Sequence, residues 1–137
     1  VWSFYGKLPD SRRLFFLMLD GPVRLNAEAP SYLFLAGREI ALEQRGKPLL
    51  RLCAGEKVNL GVKADSGSLA TAKRLYVTFF RPKSCVMPAR ITFGRKVRSV
   101  TACAADGTVL RNVPVVDGGF SNLWENGSRI SYYKVIF

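Results

Sequence analysis

An all-β fold, specifically a single-domain β-sandwich of short, mainly antiparallel strands, is what this sequence predicts, on three observations. Apolar residues recur at every second position in one segment after another. Those segments are rich in β-branched and aromatic types, and Gly, Asp, Asn and Pro punctuate them at short intervals. The chain has 137 residues, nearly half of them apolar, enough to bury one sizeable core, and no linker-like stretch divides it, so residues 1–137 are read as one domain.

Taken in order, strands are expected over residues 2–8, 14–19, 23–25 and 32–36. Ile40 and Leu42 then alternate with Glu39 and Glu43, and Leu50 and Leu52 flank Arg51. The clearest period of two is in residues 57–63, where Val58, Leu60 and Val62 share one face and polar or small residues the other. Residues 75–80 are apolar or β-branched throughout, which reads as a central strand covered on both faces. Arg81 and Pro82 end it. Further strands are expected over residues 90–93, 97–103, 108–113 and 130–137. Asp106-Gly107 supplies the backbone freedom of a tight primed turn and makes residues 97–113 a hairpin, while Asp117-Gly118-Gly119 and Asn126-Gly127 are read as similar punctuation. Only residues 66–74, with Leu69, Ala70, Ala72 and Lys73, have the composition of a helix, so at most one short helix is expected.

The apolar run 14–19 follows Arg12 and Arg13, as in a secretory leader, but it is too short and Asp20 ends it without a cleavage motif. It is read as a buried strand. No run reaches the roughly 18 to 20 apolar residues of a membrane-spanning helix.

The absence of histidine removes Ser-His and Cys-His nucleophilic systems together with the commonest zinc ligand. Neither a phosphate-cradling Gly-rich loop followed by Lys nor a dinucleotide-binding glycine turn is present. Most of the ten carboxylates are needed to offset twenty-one cations, which disfavours a glycosidase-type acid pair. The sequence therefore reads as that of a binding protein and not an enzyme, with no cofactor and no metal. The cysteines are too widely spaced for a zinc or redox motif. Cys85 and Cys103 flank the same basic region and form a candidate disulfide, which would leave Cys53 a free buried thiol; three reduced, packed thiols are the alternative.

The net charge of +11 is uneven. No carboxylate lies between Asp65 and Asp106, whereas Lys73, Arg74, Arg81, Lys83, Arg90, Arg95, Lys96 and Arg98 all do. Such a segment carries a positive field that suits acidic partners, anionic headgroups or nucleic acid; a solvated surface is the plainer reading. Basic residues also interleave with Tyr76, Phe79, Phe80 and Phe93, as on sheets that bind single strands. Nucleic acid ranks below a protein partner nonetheless, including the target of an inhibitor- or immunity-type binding module, because no nucleic-acid-binding consensus accompanies the charge.

Two stretches carry a family resemblance. Leu19-Asp20-Gly21-Pro22-Val23-Arg24-Leu25, followed by Ala29-Pro30-Ser31-Tyr32-Leu33-Phe34-Leu35, resembles the opening strands of small periplasmic lipoproteins of the YscW and YbaY type. Val97-Arg98-Ser99-Val100-Thr101-Ala102-Cys103, with Asp106-Gly107-Thr108-Val109-Leu110 and Asn112, resembles that family's later hairpin. Within it, the basic charge looks most like the ExsB-type pilotins of type III secretion. The resemblance implies an accessory protein at the periplasmic face of the outer membrane that binds the C-terminal segment of a secretin subunit and assists its localisation and assembly. It also implies an amino-terminal lipid anchor; the first cysteine here is Cys53, so either that anchor belongs to a segment upstream of Val1 or this member has none. An amphipathic segment laid on a domain needs apolar anchors rimmed by charge. Phe15, Phe16, Tyr32 and Phe34 are the candidate anchors, with Arg81, Lys83, Arg95 and Lys96 the candidate basic patch toward the partner or the membrane.

Overall fold

Strand follows strand with no intervening helix in the computed structural model, which describes residues 2–7, 13–18, 21–25, 29–80, 89–121 and 130–137. Among the described residues eleven strands are formed: β1 (Trp2–Lys7), β2 (Arg13–Met18), β3 (Gly21–Leu25), β4 (Tyr32–Gln44), β5 (Lys47–Ala64), β6 (Arg74–Phe80), β7 (Ala89–Phe93), β8 (Ser99–Cys103), β9 (Val109–Val113), β10 (Gly119–Ser121) and β11 (Tyr132–Ile136). The protein is all-β. Among the described residues its strand pairs are antiparallel except β2–β4 and β3–β4, which are parallel.

All the strands belong to one mixed sheet whose main path runs β1-β2-β4-β5-β6-β11-β8-β9. The spine is the β4–β5 hairpin, of 13 and 18 residues, so the strands are not uniformly short as the punctuation suggests. Its turn has Arg45 and Gly46 at φ 50° and 80°, between the paired residues Gln44 and Lys47. These are the positive angles of a primed two-residue turn, whose twist matches the strands it joins. Midway, the register slips: residues 54–57 of β5 stand opposite Arg38 alone. The slip bends the hairpin and lets each long strand serve two neighbours. The far half of β5 pairs with β6 (Asn59 opposite Phe80 through Ala64 opposite Leu75). The near half pairs with β7 (Leu50 opposite Phe93 through Ala54 opposite Ala89). One sheet thus forms two arms.

The arms face each other over a common core. Along β5 the buried side chains are Leu50 and Leu52, then Val58, Leu60, Val62 and Ala64, all of one parity, with Ala54 and Glu56 half-buried between them. Along β4 the buried set changes parity across the slip, from Leu33 and Leu35 to Ile40 and Leu42, because four residues of β5 opposite one of β4 make an odd slip, and an odd slip reverses the facing of one strand relative to the other. The arms meet through rings: Phe120 of β10 packs on Tyr133 of β11 with centroids 5.1 Å apart, and Tyr133 meets Phe79 of β6 edge-on.

Several expectations change. Residues 66–74 form a turn and no helix: Ser68 O accepts from Thr71 N and Ala72 N, while Leu69 and Ala72 plug the core. The Ser68 hydroxyl competes for local backbone groups, as expected of Ser at turns. The β8–β9 hairpin forms, but only Gly107, at φ 91°, takes a positive angle. Gly107 N donates to Ala104 O and Ala104 N to Thr108 O, the three-residue loop with Gly in the left-handed position in place of a primed turn. The primed turn is at Asp117-Gly118 instead, φ 50° and 77°, with Val116 and Gly119 bonded to each other across it. That turn launches β10, a strand the sequence reading took for punctuation. Residues 75–80 are not covered on both faces: Leu75 and Val77 point into the core, whereas Tyr76 and Thr78 are half-buried and Phe80 is 49% exposed. Cys53 is exposed and not buried, while Cys103 is a buried free thiol. Cys85 lies outside the described residues, so the Cys85–Cys103 pairing has no counterpart among them.

Candidate functional site

The outward faces of β4, β5, β6 and β11 carry side chains in rows set by the strand register. Tyr32, Lys63, Tyr76 and Lys134 are successive cross-strand neighbours. In the adjoining row Phe34, Gly61 and Thr78 are aligned. Neighbouring strands lie about 4.8 Å apart and same-face residues about 7 Å apart along a strand, so this lattice brings side chains from both ends of the sequence within contact distance.

A shallow groove of about 330 Å³ opens on this face, lined by Tyr32, Phe34, Gly61, Val62, Lys63, Tyr76, Thr78, Phe80 and Tyr132. Gly61 makes its floor. A Cβ built on Gly61 would come within 2.9 Å of the Phe80 ring and 3.5 Å of the Phe34 ring; the missing side chain is the space over which those rings lean. Tyr76 and Tyr132 meet edge-on, with centroids 5.7 Å apart, a geometry that satisfies the ring quadrupoles and fixes both rings. Lys63 places its ammonium 5.6 Å from the Tyr32 centroid, within cation–π range. The Tyr132 phenol is held above the ordinary tyrosine range by desolvation, then by the neighbouring Cys103 thiol, Tyr76 and Asp106. Rings with polar tips around a glycine floor give this face the makings of a contact surface.

Of the anchors named from sequence, Tyr32 and Phe34 line this groove. The register of β2 sets Phe16 opposite Phe34 and Phe15 opposite Leu33; the side chains of Phe15 and Phe16 lie outside the described residues. Of the basic patch, Arg95 and Lys96 are among the described residues. Arg95 is taken up by the fold: its guanidinium donates to Leu69 O at 3.0 Å and stacks 3.8 Å above the Phe137 ring, and burial lowers its pKa. Lys96 is exposed, and Arg81 and Lys83 lie outside the described residues. The sequence reading missed Gly61, Lys63 and Tyr132 as site residues. It noticed Tyr76 and Phe80 but treated them chiefly as core; the outward parity of β6 relative to Leu75 and Val77 was the available signal.

Among the described residues no three His, Cys, Asp or Glu side chains gather as a metal site, and no helix is long and apolar enough to cross a membrane. No protein-family model matches the chain, no curated protein matches it, and no solved structure matches it.

Proposed function

We propose that this domain works by stoichiometric binding without turnover, receiving a segment of a protein partner in the aromatic groove, as a pilotin receives the C-terminal segment of a secretin. On this reading it is an accessory protein of type III secretion at the periplasmic face of the outer membrane, tethered by a lipid upstream of Val1, and it assists secretin localisation and assembly. The observation that carries the reading is an outward-facing cluster of five aromatic rings, Tyr32, Phe34, Tyr76, Phe80 and Tyr132, around a glycine floor. A sheet face turned only to solvent has no use for such rings, and aromatic anchors in pockets dominate protein interfaces. The family resemblance supplies the partner, and the groove supplies a place for it.

Phe80→Glu tests this. Phe80 is half exposed and contributes little to the core, so thermal stability should change by less than about 0.5 kcal/mol. Co-purification with the secretin C-terminal segment should fall at least tenfold, the effect of losing an anchor worth about 2 kcal/mol. Undiminished capture by Phe80→Glu, or complete secretin multimers in cells lacking the protein, would overturn the proposal.

A second reading, single-stranded nucleic acid, draws on the alternation of Tyr32, Lys63, Tyr76 and Lys134 across the sheet. It is weaker because the groove lining holds one cation, Lys63, among five rings, whereas a phosphate backbone needs a continuous track of cations.

A further inference from the structure

The charge around the groove says what kind of segment fits it. Lys63 and Lys134 flank Tyr76 on the two adjacent strands, so their backbones stand about 10 Å apart; the Lys63 ammonium rests over Tyr32, and the length of two lysine stems is enough for both ammonium groups to reach one carboxylate above Tyr76. Among the described residues neither forms an ion pair with a carboxylate. The acid next along this face of β5, Asp65, turns its carboxylate oxygen to Ser66 N at 2.8 Å. Arg74, in the next row, stands beside Asp65, whose backbone N donates to Arg74 O, so that pair adds little net charge. The groove is thus apolar where Phe34 and Phe80 cover Gly61 and carries its one lining cation at Lys63, with Lys134 just outside the lining on the far side of Tyr76.

Resting on the protein-segment reading above, we infer that the bound segment is acidic as well as apolar: one apolar side chain packs on the Phe34 and Phe80 rings that cover Gly61, and one carboxylate meets Lys63 and Lys134. Gly61 and Lys63 are two residues apart on one strand, so anchor and charge are separated by about 7 Å. Residues i and i+2 of an extended segment span that distance, as do i and i+4 of a helix. The nucleic-acid alternative would place charge along the whole groove, where the Phe34–Gly61–Phe80 end offers only rings and a glycine.

The test uses the whole isotope-labelled chain and three probes. One is a synthetic peptide of about 15 residues in which each Phe is followed by Glu at both +2 and +4. The second has Gln at every Glu position, and the third is an oligothymidine of similar length. The acidic peptide should shift the amide resonances of Gly61, Lys63 and Tyr76 and bind about fivefold more tightly than its Gln counterpart, the scale of one or two exposed ion pairs. In the Lys63→Gln, Lys134→Gln double variant, whose unperturbed spectrum away from the groove reports an intact fold, that preference should fall below twofold. Equal binding of the two peptides at the groove would overturn the acidic preference while leaving the groove reading in place. Peptide-induced shifts elsewhere, or none, would overturn the groove reading itself. Groove shifts with the oligothymidine alone would replace both with nucleic-acid binding.

Discussion

Replacing Phe120 with Ala is expected to remove about 3–5 kcal/mol of stability, a large share of what a domain of this size possesses. Phe120 is 1% exposed and sits on β10, a three-residue strand whose partner among the described residues is β7. Its ring packs on Tyr133 from the opposite arm and lies nearly parallel to Phe93, with centroids 6.5 Å apart. Truncation leaves a cavity bounded by paired strands that cannot collapse into it, so the transfer and cavity contributions both apply. Urea denaturation should show the midpoint falling sharply with the slope retained. Val116→Ala, at a side chain already 52% exposed, serves as the control and should fall within about 0.5 kcal/mol of the parent.

Gly94→Ala should cost about 3 kcal/mol for a different reason. A Cβ at Gly94 would lie 1.8 Å from the carbonyl oxygen of Pro48 and 2.8 Å from its carbonyl carbon. Pro48 is held in register opposite Glu43, and Gly94 N donates to Leu49 O, so the obstacle is backbone and cannot rotate away. The end of β7 must separate from β5, and overpacking of this kind costs about 1–3 kcal/mol or more. Thermal unfolding should shift down by roughly 10 °C. Gly61→Ala makes the contrast: its new Cβ meets the ring of the half-exposed Phe80, which can swing outward. That variant should keep its stability and lose groove binding, separating fold from function at two glycines.

The all-strand character was legible because β5 alternates at Leu50–Leu52 and again at Val58–Leu60–Val62 and because valine, isoleucine and aromatic residues crowd the segments between turns. What was not legible came from two sources. Local signals misled where a residue acted against type: Arg45 adopts a positive φ that its composition does not advertise, and Asp106-Gly107 forms a longer loop than its dipeptide suggests. The Gly119–Ser121 strand is too short to show any period. The larger source is pairing between segments distant in sequence. The run at residues 75–80 reads as doubly buried because its outward residues Tyr76 and Phe80 are as apolar as its inward ones; only the placement of β4, β5 and β11 beside it shows that these rings line a groove. Tyr32 and Phe34 were visible as apolar surplus, but Gly61 gains its meaning from the rings above it and Lys63 from the cross-strand row. Arg95 looked like surface charge because nothing in its neighbourhood along the chain announces Leu69 and Phe137 as its partners.

The claim at the centre of this account is that the outward face of β4, β5, β6 and β11 meets the partner. The most direct measurement is photo-crosslinking in cells, with a benzophenone amino acid placed at Thr78 on the groove lining or at the exposed Val116 near β10. With a secretin as the proposed partner, an adduct is expected between the Thr78 position and its C-terminal segment, with none from Val116. An adduct from Val116 and none from Thr78 would contradict it.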